Sequence, residues 1–273
     1  MRIALISDSH LAPRADERNW HTSAAAVRML DPDVTVHLGD VTMDGARRRE
    51  DLAHAAERLR AWPGTIELLP GNHDMGDACG ERPLDHAALG RCIEALGSDH
   101  WHVQAGRWNL FGINAQLLGS RTTAEAEQWR WLEAAAAGLP PGARSVLFSH
   151  RPLARAPGDG GARLGRYAPL AAARRLLDGP LAASVEMVVS GHVHQALSWT
   201  AGRVQHVWVP SCSFIFSDSL QAQVGAKLVG IGLLTLDSSA RYQLLCLPGL
   251  HTIEAVALRP RLQLRDLAEP AAA

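Results

Sequence analysis

Lysine is nearly missing from this chain: Lys227 stands alone among 273 residues, against 13 histidines. Almost all the fixed positive charge is therefore arginine, and 27 basic residues against 28 acidic ones leave a net charge of -1. No surplus of either sign exists to hold a nucleic-acid polymer or an anionic membrane by bulk charge. Cysteine is scarce as well. Cys79, Cys92, Cys212 and Cys246 form no CxxC pair and no disulfide or zinc-knuckle spacing, so ordinary thiols in a reducing compartment are expected. Long apolar runs are absent too. The greasiest stretch, 228–236, is strand-length and broken by Gly230 and Gly232, well short of the ~18 residues of a membrane span. The N-terminal apolar run meets a charge at Asp8, too early for a signal-peptide core. The expectation is a soluble cytoplasmic protein with no membrane partner.

What is present is enough apolar residue, 47% of the chain, to bury a core in one large domain or two small ones. Arg2-Ile3-Ala4-Leu5-Ile6-Ser7 reads as a buried strand. A helical pattern follows over 19–30, stopped by Asp31-Pro32. Val34-Thr35-Val36-His37-Leu38 is a second buried strand. Leu52, Ala55, Ala56 and Leu59 recur at helical spacing within 46–60, and Thr65-Ile66-Glu67-Leu68-Leu69 is a third strand. The second part repeats the scheme: a hairpin over 103–113, a helix over 124–137, a strand over 144–148, a glycine-rich loop over 156–161, a helix over 169–178 and a strand over 185–189. Alternating strand patterns run on to 247. The chain is thus α/β, with a catalytic domain expected over 1–250 and a partly mobile extension over 251–273.

Polar clusters stand just after these strands: Asp8-Ser9-His10, Gly39-Asp40, Asn72-His73-Asp74, His150, and His192-Val193-His194. In open α/β sheets the carboxyl ends of strands are where ligands bind. Histidine is the commonest metal ligand. Asp8, His10, Asp40, Asn72, His150, His192 and His194 offer two carboxylates, one amide oxygen and four imidazoles. That set suits manganese, iron, zinc or cobalt and is too nitrogen-rich for calcium or magnesium alone. Seven donors are too many for one tetrahedral zinc but suit two cations sharing a carboxylate.

In order and in residue type, Asp8-x-His10, Gly39-Asp40, Gly71-Asn72-His73-Asp74, His150 and Gly191-His192-x-His194 resemble the five blocks of the calcineurin-like metallophosphoesterases. The resemblance implies a four-layer sandwich of two mixed β-sheets flanked by α-helices. It implies a first metal held by Asp8, His10, Asp40 and His194, and a second held by Asp40, Asn72, His150 and His192, with Asp40 bridging. It implies in-line attack of a metal-bridging hydroxide on a phosphoester, with His73 as general acid on the leaving-group side and Asp74 orienting it. The metals expected are manganese, iron or zinc. Gly71-Asn72-His73-Asp74 and the absence of large insertions resemble the bacterial cyclic-nucleotide phosphodiesterases. The implied substrate is therefore a small phosphodiester, 3',5'-cyclic nucleotides among the candidates. A phosphomonoesterase or glycerophosphodiester-type enzyme is the alternative on the same site. A non-catalytic scaffold is disfavoured by the complete ligand set.

Other residues carry weaker readings. Asn72 and His73 are also assigned to substrate, and Arg151 is weighed between a substrate phosphate and bracing its loop. Arg14, Asn19 and Trp20 either border the pocket or enter the helix. His37 reads as packed rather than ligating, and His21, His54, His86, His100, His102, His206 and His251 as ordinary surface or core residues. Arg47-Arg48-Arg49 reads as a solvated face. Trp208 and the 211–216 stretch are placed at the site rim, with Phe214, Ile215 and Phe216 offered as a homodimer surface. Glycines 39, 71 and 191 are expected where the backbone turns sharply near ligands.

Overall fold

In the first strand the side chains divide by parity. Ile3 and Leu5 join one apolar cluster, Ala4 and Ile6 another, and all four are fully buried. A strand buried on both faces belongs inside a sheet covered on both sides. The computed structural model describes residues 1–78, 84–160 and 165–255. Cys79, Gly161 and the part of the expected extension at 256–273 lie outside the described residues.

The strands are β1 (Arg2–Ile6), β2 (Val34–His37), β3 (Ile66–Leu68), β4 (Trp101–Ala105), β5 (Trp108–Ile113), β6 (Arg144–Ser149), β7 (Val185–Ser190), β8 (Leu197–Ala201), β9 (Val204–Trp208), β10 (Ile231–Leu236) and β11 (Ala240–Leu245). The helices are α1 (Arg18–Leu30), α2 (Arg49–Arg60), α3 (Asn72–Met75), α4 (His86–Leu96), α5 (Thr123–Ala137) and α6 (Leu170–Leu177). One sheet runs β11-β10-β1-β2-β3, the other β4-β5-β6-β7-β9-β8. Each has a parallel centre, β1-β2-β3 and β5-β6-β7-β9, and antiparallel strands at an edge. Both sheets are mixed, as the resemblance implies.

The layers follow from where each parity packs. Ile3, Leu5, Val34 and Val36 meet Leu110, Val146, Phe148 and Val189 between the sheets. Ala4 and Ile6 pack under Trp20 and Val27 of α1 and Ala55 of α2. Phe111, Leu147 and Val188 pack under Trp129 and Leu132 of α5 and Leu176 of α6. The order is helix, sheet, sheet, helix.

Two elements differ from the sequence reading. α2 begins at Arg49 rather than 46, because the amides of Arg47 and Arg48 turn back onto the Asp44 carbonyl. α4 was not expected. Its signal was Asp85, whose carboxylate caps the Ala87 amide at 3.0 Å, ahead of Leu89 and Cys92 on the buried face. The described start of the expected extension, 251–255, is bonded to the domain. Ala255 donates to the Ile215 carbonyl and Ile215 to Ile253, while Asn19 takes the His251 amide and gives to its carbonyl, both at 2.8 Å.

Candidate metal centre

Parallel pairing brings the polar clusters to one edge. Ile6 is in register with His37, so Asp8 and Asp40 leave β1 and β2 side by side. Ser149 is in register with Ser190, so His150 and His192 leave β6 and β7 together. Backbone bonds tie these ends to one another: Asp8 to the Gly39 carbonyl at 3.0 Å and Gly191 to the His150 carbonyl at 3.1 Å. Ser211 Oγ donates to the Asp8 carbonyl at 2.8 Å, and the Cys212 amide to that of Ser7 at 2.9 Å.

The ligand-bearing backbone is strained. Among the described residues, Asp8, His10, Asp40, His192 and His194 have φ between +47° and +68°, the left-handed region that costs a non-glycine residue about 1–2 kcal/mol. The glycines serve two different needs. Gly39 has φ +99°, and a Cβ there would also lie 2.6 Å from His150 Nδ1. Gly71 and Gly191 answer close approach instead of turning: a Cβ would meet Asp40 Oδ1 at 2.0 Å and Ser7 Oγ at 1.8 Å.

All seven expected ligands converge. Ligand-type atoms of Asp8, His10 and His194 lie within 4.8 Å of one another, as do those of His10, Asp40 and His73, and those of Asp40, His150 and His192. Asn72 Oδ1 joins the last group, 3.3 Å from His150 Nε2. His10 Nε2 and His194 Nε2 stand 3.2 Å apart, and His192 Nδ1 and His150 Nε2 3.1 Å apart. The far nitrogens are committed to backbone carbonyls: His150 Nδ1 to Leu38 at 2.7 Å, His194 Nδ1 to Phe214 at 2.8 Å and His192 Nε2 to Gly165 at 2.9 Å. Each carbonyl holds a proton on the outer nitrogen, so that a ring in its neutral form turns its lone pair inward, the tautomer a metal requires. Asp8 Oδ1 is buried without a hydrogen-bond partner. That oxygen lies 3.4 Å from His194 Nε2, and the carboxylates and imidazoles gathered here form a donor set that fits a pair of bound cations.

The charges follow from this crowding. Burial opposes ionisation of Asp8 and Asp40, yet His194 beside the first and His150 beside the second pull both below the ordinary carboxylate range. Burial likewise opposes charge on His150, but Asp40 and Asp8 outweigh it and raise the ring to about 9. Burial and the neighbouring rings, His73 and His150 respectively, push His10 and His192 well down.

Asp74 does something other than orient His73. Its carboxylate accepts from the amides of Val41 (3.1 Å), Thr42 (2.8 Å) and Gly71 (2.8 Å) and from the Thr42 hydroxyl (2.7 Å). It clamps the loop after β2 to the loop after β3, and the orienting role expected of it is corrected. The His73 ring is set instead by its Nδ1 on the Met43 carbonyl, with Nε2 4.0 Å from Asp40 Oδ2. Burial, with Asp40 nearby, pushes Asp74 up to about 6.

Arg151 lies on the bracing side of its two readings: its guanidinium is 2.7 Å from Asp77, and both side chains are buried. Trp208 is no rim residue but a core one, 1% exposed against Val193 and Ala156. Phe214 is buried in a cluster with Met43 and Ala255, and Ile215 is buried as well. Phe216 beside them is half-buried. Phe214 lies against His10 and His194 with centroids 4.8 and 4.7 Å away, and Phe216 lies 4.7 Å from His194. Asn19 and Trp20 are buried packing residues, and Arg14 is exposed. His37 is packed as expected, its ring between Ser9 Oγ and the Gly39 amide, with burial holding it down at about 4.

The family model described as calcineurin-like phosphoesterase matches residues 1–196. The chain belongs to that family. The chain is 26% identical over 209 residues to a Bos taurus "Transmembrane protein with metallophosphoesterase domain", covering 71% of this chain and 40% of that protein. It spans less than half the length of the curated relatives it matches. Among the described residues no helix is long and apolar enough to cross a membrane. Its fold is that of a Danio rerio dimetal phosphatase, with TM-score 0.61, 15% identity, and 89% of this chain and 95% of that one covered. A purple acid phosphatase from Lupinus luteus shares it, with TM-score 0.65, 15% identity, and 89% and 51% covered.

Proposed function

We propose that this phosphoesterase-family chain hydrolyses small phosphodiesters, 3',5'-cyclic nucleotides among them, in a metal-dependent reaction in the cytoplasm. The observation that carries the reading is the Asp40 carboxylate, which stands at once in the group of His10 and His73 and in that of His150 and His192. A shared carboxylate between two nests of inward lone pairs is what a two-metal hydrolytic site needs.

Asp8, His10, Asp40 and His194 would hold one cation; Asp40, Asn72, His150 and His192 would hold the other. Iron, manganese or zinc bound there supplies Lewis-acid stabilisation of the phosphoryl charge and lowers the pKa of the attacking water. The protein's own residues do the rest. Asn72 turns Oδ1 inward, which leaves its amide nitrogen for a phosphoryl oxygen. His73 keeps its Nδ1 proton on Met43 and presents Nε2 at the half-buried side of the site. As imidazolium it protonates the leaving oxygen.

The test sets bis(p-nitrophenyl) phosphate and cyclic nucleotides against p-nitrophenyl phosphate with manganese, iron, zinc or cobalt supplied. Metal-dependent turnover favouring diesters is expected. Faster monoester turnover would replace the diesterase reading with a phosphomonoesterase, and no turnover of any of them would end the hydrolase reading.

A further inference from the structure

His192 is held differently from its neighbours. His150 fixes its outer nitrogen on the carbonyl of Leu38 just past β2, whose own amide is bonded to Ile6 at 2.9 Å, and His194 on that of Phe214, beside the isolated bridge of Ile215 to Glu254. His192 reaches the Gly165 carbonyl, on the loop between β6 and α6. Gly165 has φ +94°, so its carbonyl direction depends on what holds the residues that follow. Those residues are Arg166 and Tyr167, and both close on one carboxylate. Arg166 Nη1 donates to Asp159 Oδ2 at 2.8 Å and the Tyr167 hydroxyl to the same oxygen at 2.7 Å. Asp159 and Arg166 are 6% and 7% exposed. The Tyr167 hydroxyl also accepts the Ala156 amide at 3.1 Å, and its ring packs with Val193 and Trp208. Burial and Asp159 push its pKa up to about 12, which keeps it a donor at neutral pH.

We propose that Asp159, through Arg166 and Tyr167, positions His192 and thereby sets the affinity of the second cation position alone. The inference rests on the two-metal reading above. The clasp touches no expected ligand directly; it aims the Gly165 carbonyl, the carbonyl aims the ring, and the ring aims Nδ1. Loss of an outer partner of a ligating histidine costs roughly 10–100-fold in metal affinity. Among the described residues the clasp makes no hydrogen bond to Asp8, His10 or His194, so the first position keeps its affinity.

The experiment is calorimetric titration of the metal-stripped protein with Mn²⁺ or Zn²⁺, with metal per chain measured after dialysis, for wild type, Asp159→Asn and Tyr167→Phe. Wild type is expected to take two ions per chain. In the variants the tighter step is unchanged, the weaker one loosens by about tenfold or more, and dialysis leaves about one ion. Excess metal should restore hydrolysis to both variants, which a collapsed loop would not allow. Two unshifted steps in either folded variant would overturn the inference, as would equal loosening of both. Fewer than two ions in wild type would instead count against the two-metal reading. If Asp159→Asn fails to fold, Tyr167→Phe, which deletes one hydroxyl, decides by the same readout.

Discussion

The two halves of the metal centre are built to different rules. Asp8, His10 and His194 are almost wholly buried and are walled by the rings of Phe214 and Phe216. On the other side Asn72, His73 and His192 are half-buried, and only His150 is sealed. One half is dry and aromatic, with His194 held on the Phe214 carbonyl. The other faces outward and is steadied by loops. The open side of the cluster therefore lies over Asn72 and His73.

The largest test of this contrast removes what the halves share. Asp40→Ala should lose ions from both positions and reduce turnover by about 10³-fold or more, the rate equivalent of several kcal/mol of transition-state stabilisation. Metal per chain and kcat check it, and retention of two ions at full rate would refute the shared carboxylate. His73→Ala works only on the open half. Both ions should stay, with kcat falling roughly 10²–10⁴-fold for a poor leaving group, the usual worth of a general acid, and much less for p-nitrophenolate. Equal losses on both would argue against proton donation. Gly71→Ala presses on the seam, since its Cβ would lie 2.0 Å from Asp40 Oδ1. Overpacking of about 1–3 kcal/mol is expected, seen as a lower denaturant midpoint together with weaker binding at both positions.

The smallest effect falls outside both halves. His206 is buried against Trp199, and burial lowers its pKa from 6.5 to about 4. Below pH 6.5 the unfolded chain takes up this proton and the folded one does not. The ring's contribution to stability is thus whole above 6.5 and is lost as pH falls towards 4. His206→Phe should flatten that part of the stability–pH curve in denaturant melts and leave metal binding untouched.

The donor set was legible because each ligand stands within a few residues of a strand's end, and the strands announce themselves by continuous apolar runs. β1 and β5 lie where the pattern placed them, at 2–6 and 108–113. What stayed hidden is carried by partners far apart in the chain. Asp74 sits beside His73 in sequence but binds the amides of Val41 and Thr42, a pairing that only the packing of two loops creates. Arg151 faces Asp77, and Asn19 faces His251; no periodicity encodes either. Phe214 and Phe216 looked like an outward patch because three large apolar residues follow Pro210 with no strand to hold them. The imidazoles that take up their faces come from elsewhere.

Five of the expected ligands sit in left-handed backbone, and this has a consequence for how such a chain can change. Glycine or asparagine would be more comfortable at Asp8, His10, Asp40, His192 or His194 than the residues found there. Folding alone therefore favours their replacement, and a lineage released from catalysis would gain stability by erasing the site one residue at a time. The five positions with left-handed backbone are thus the same ones that carry donor groups.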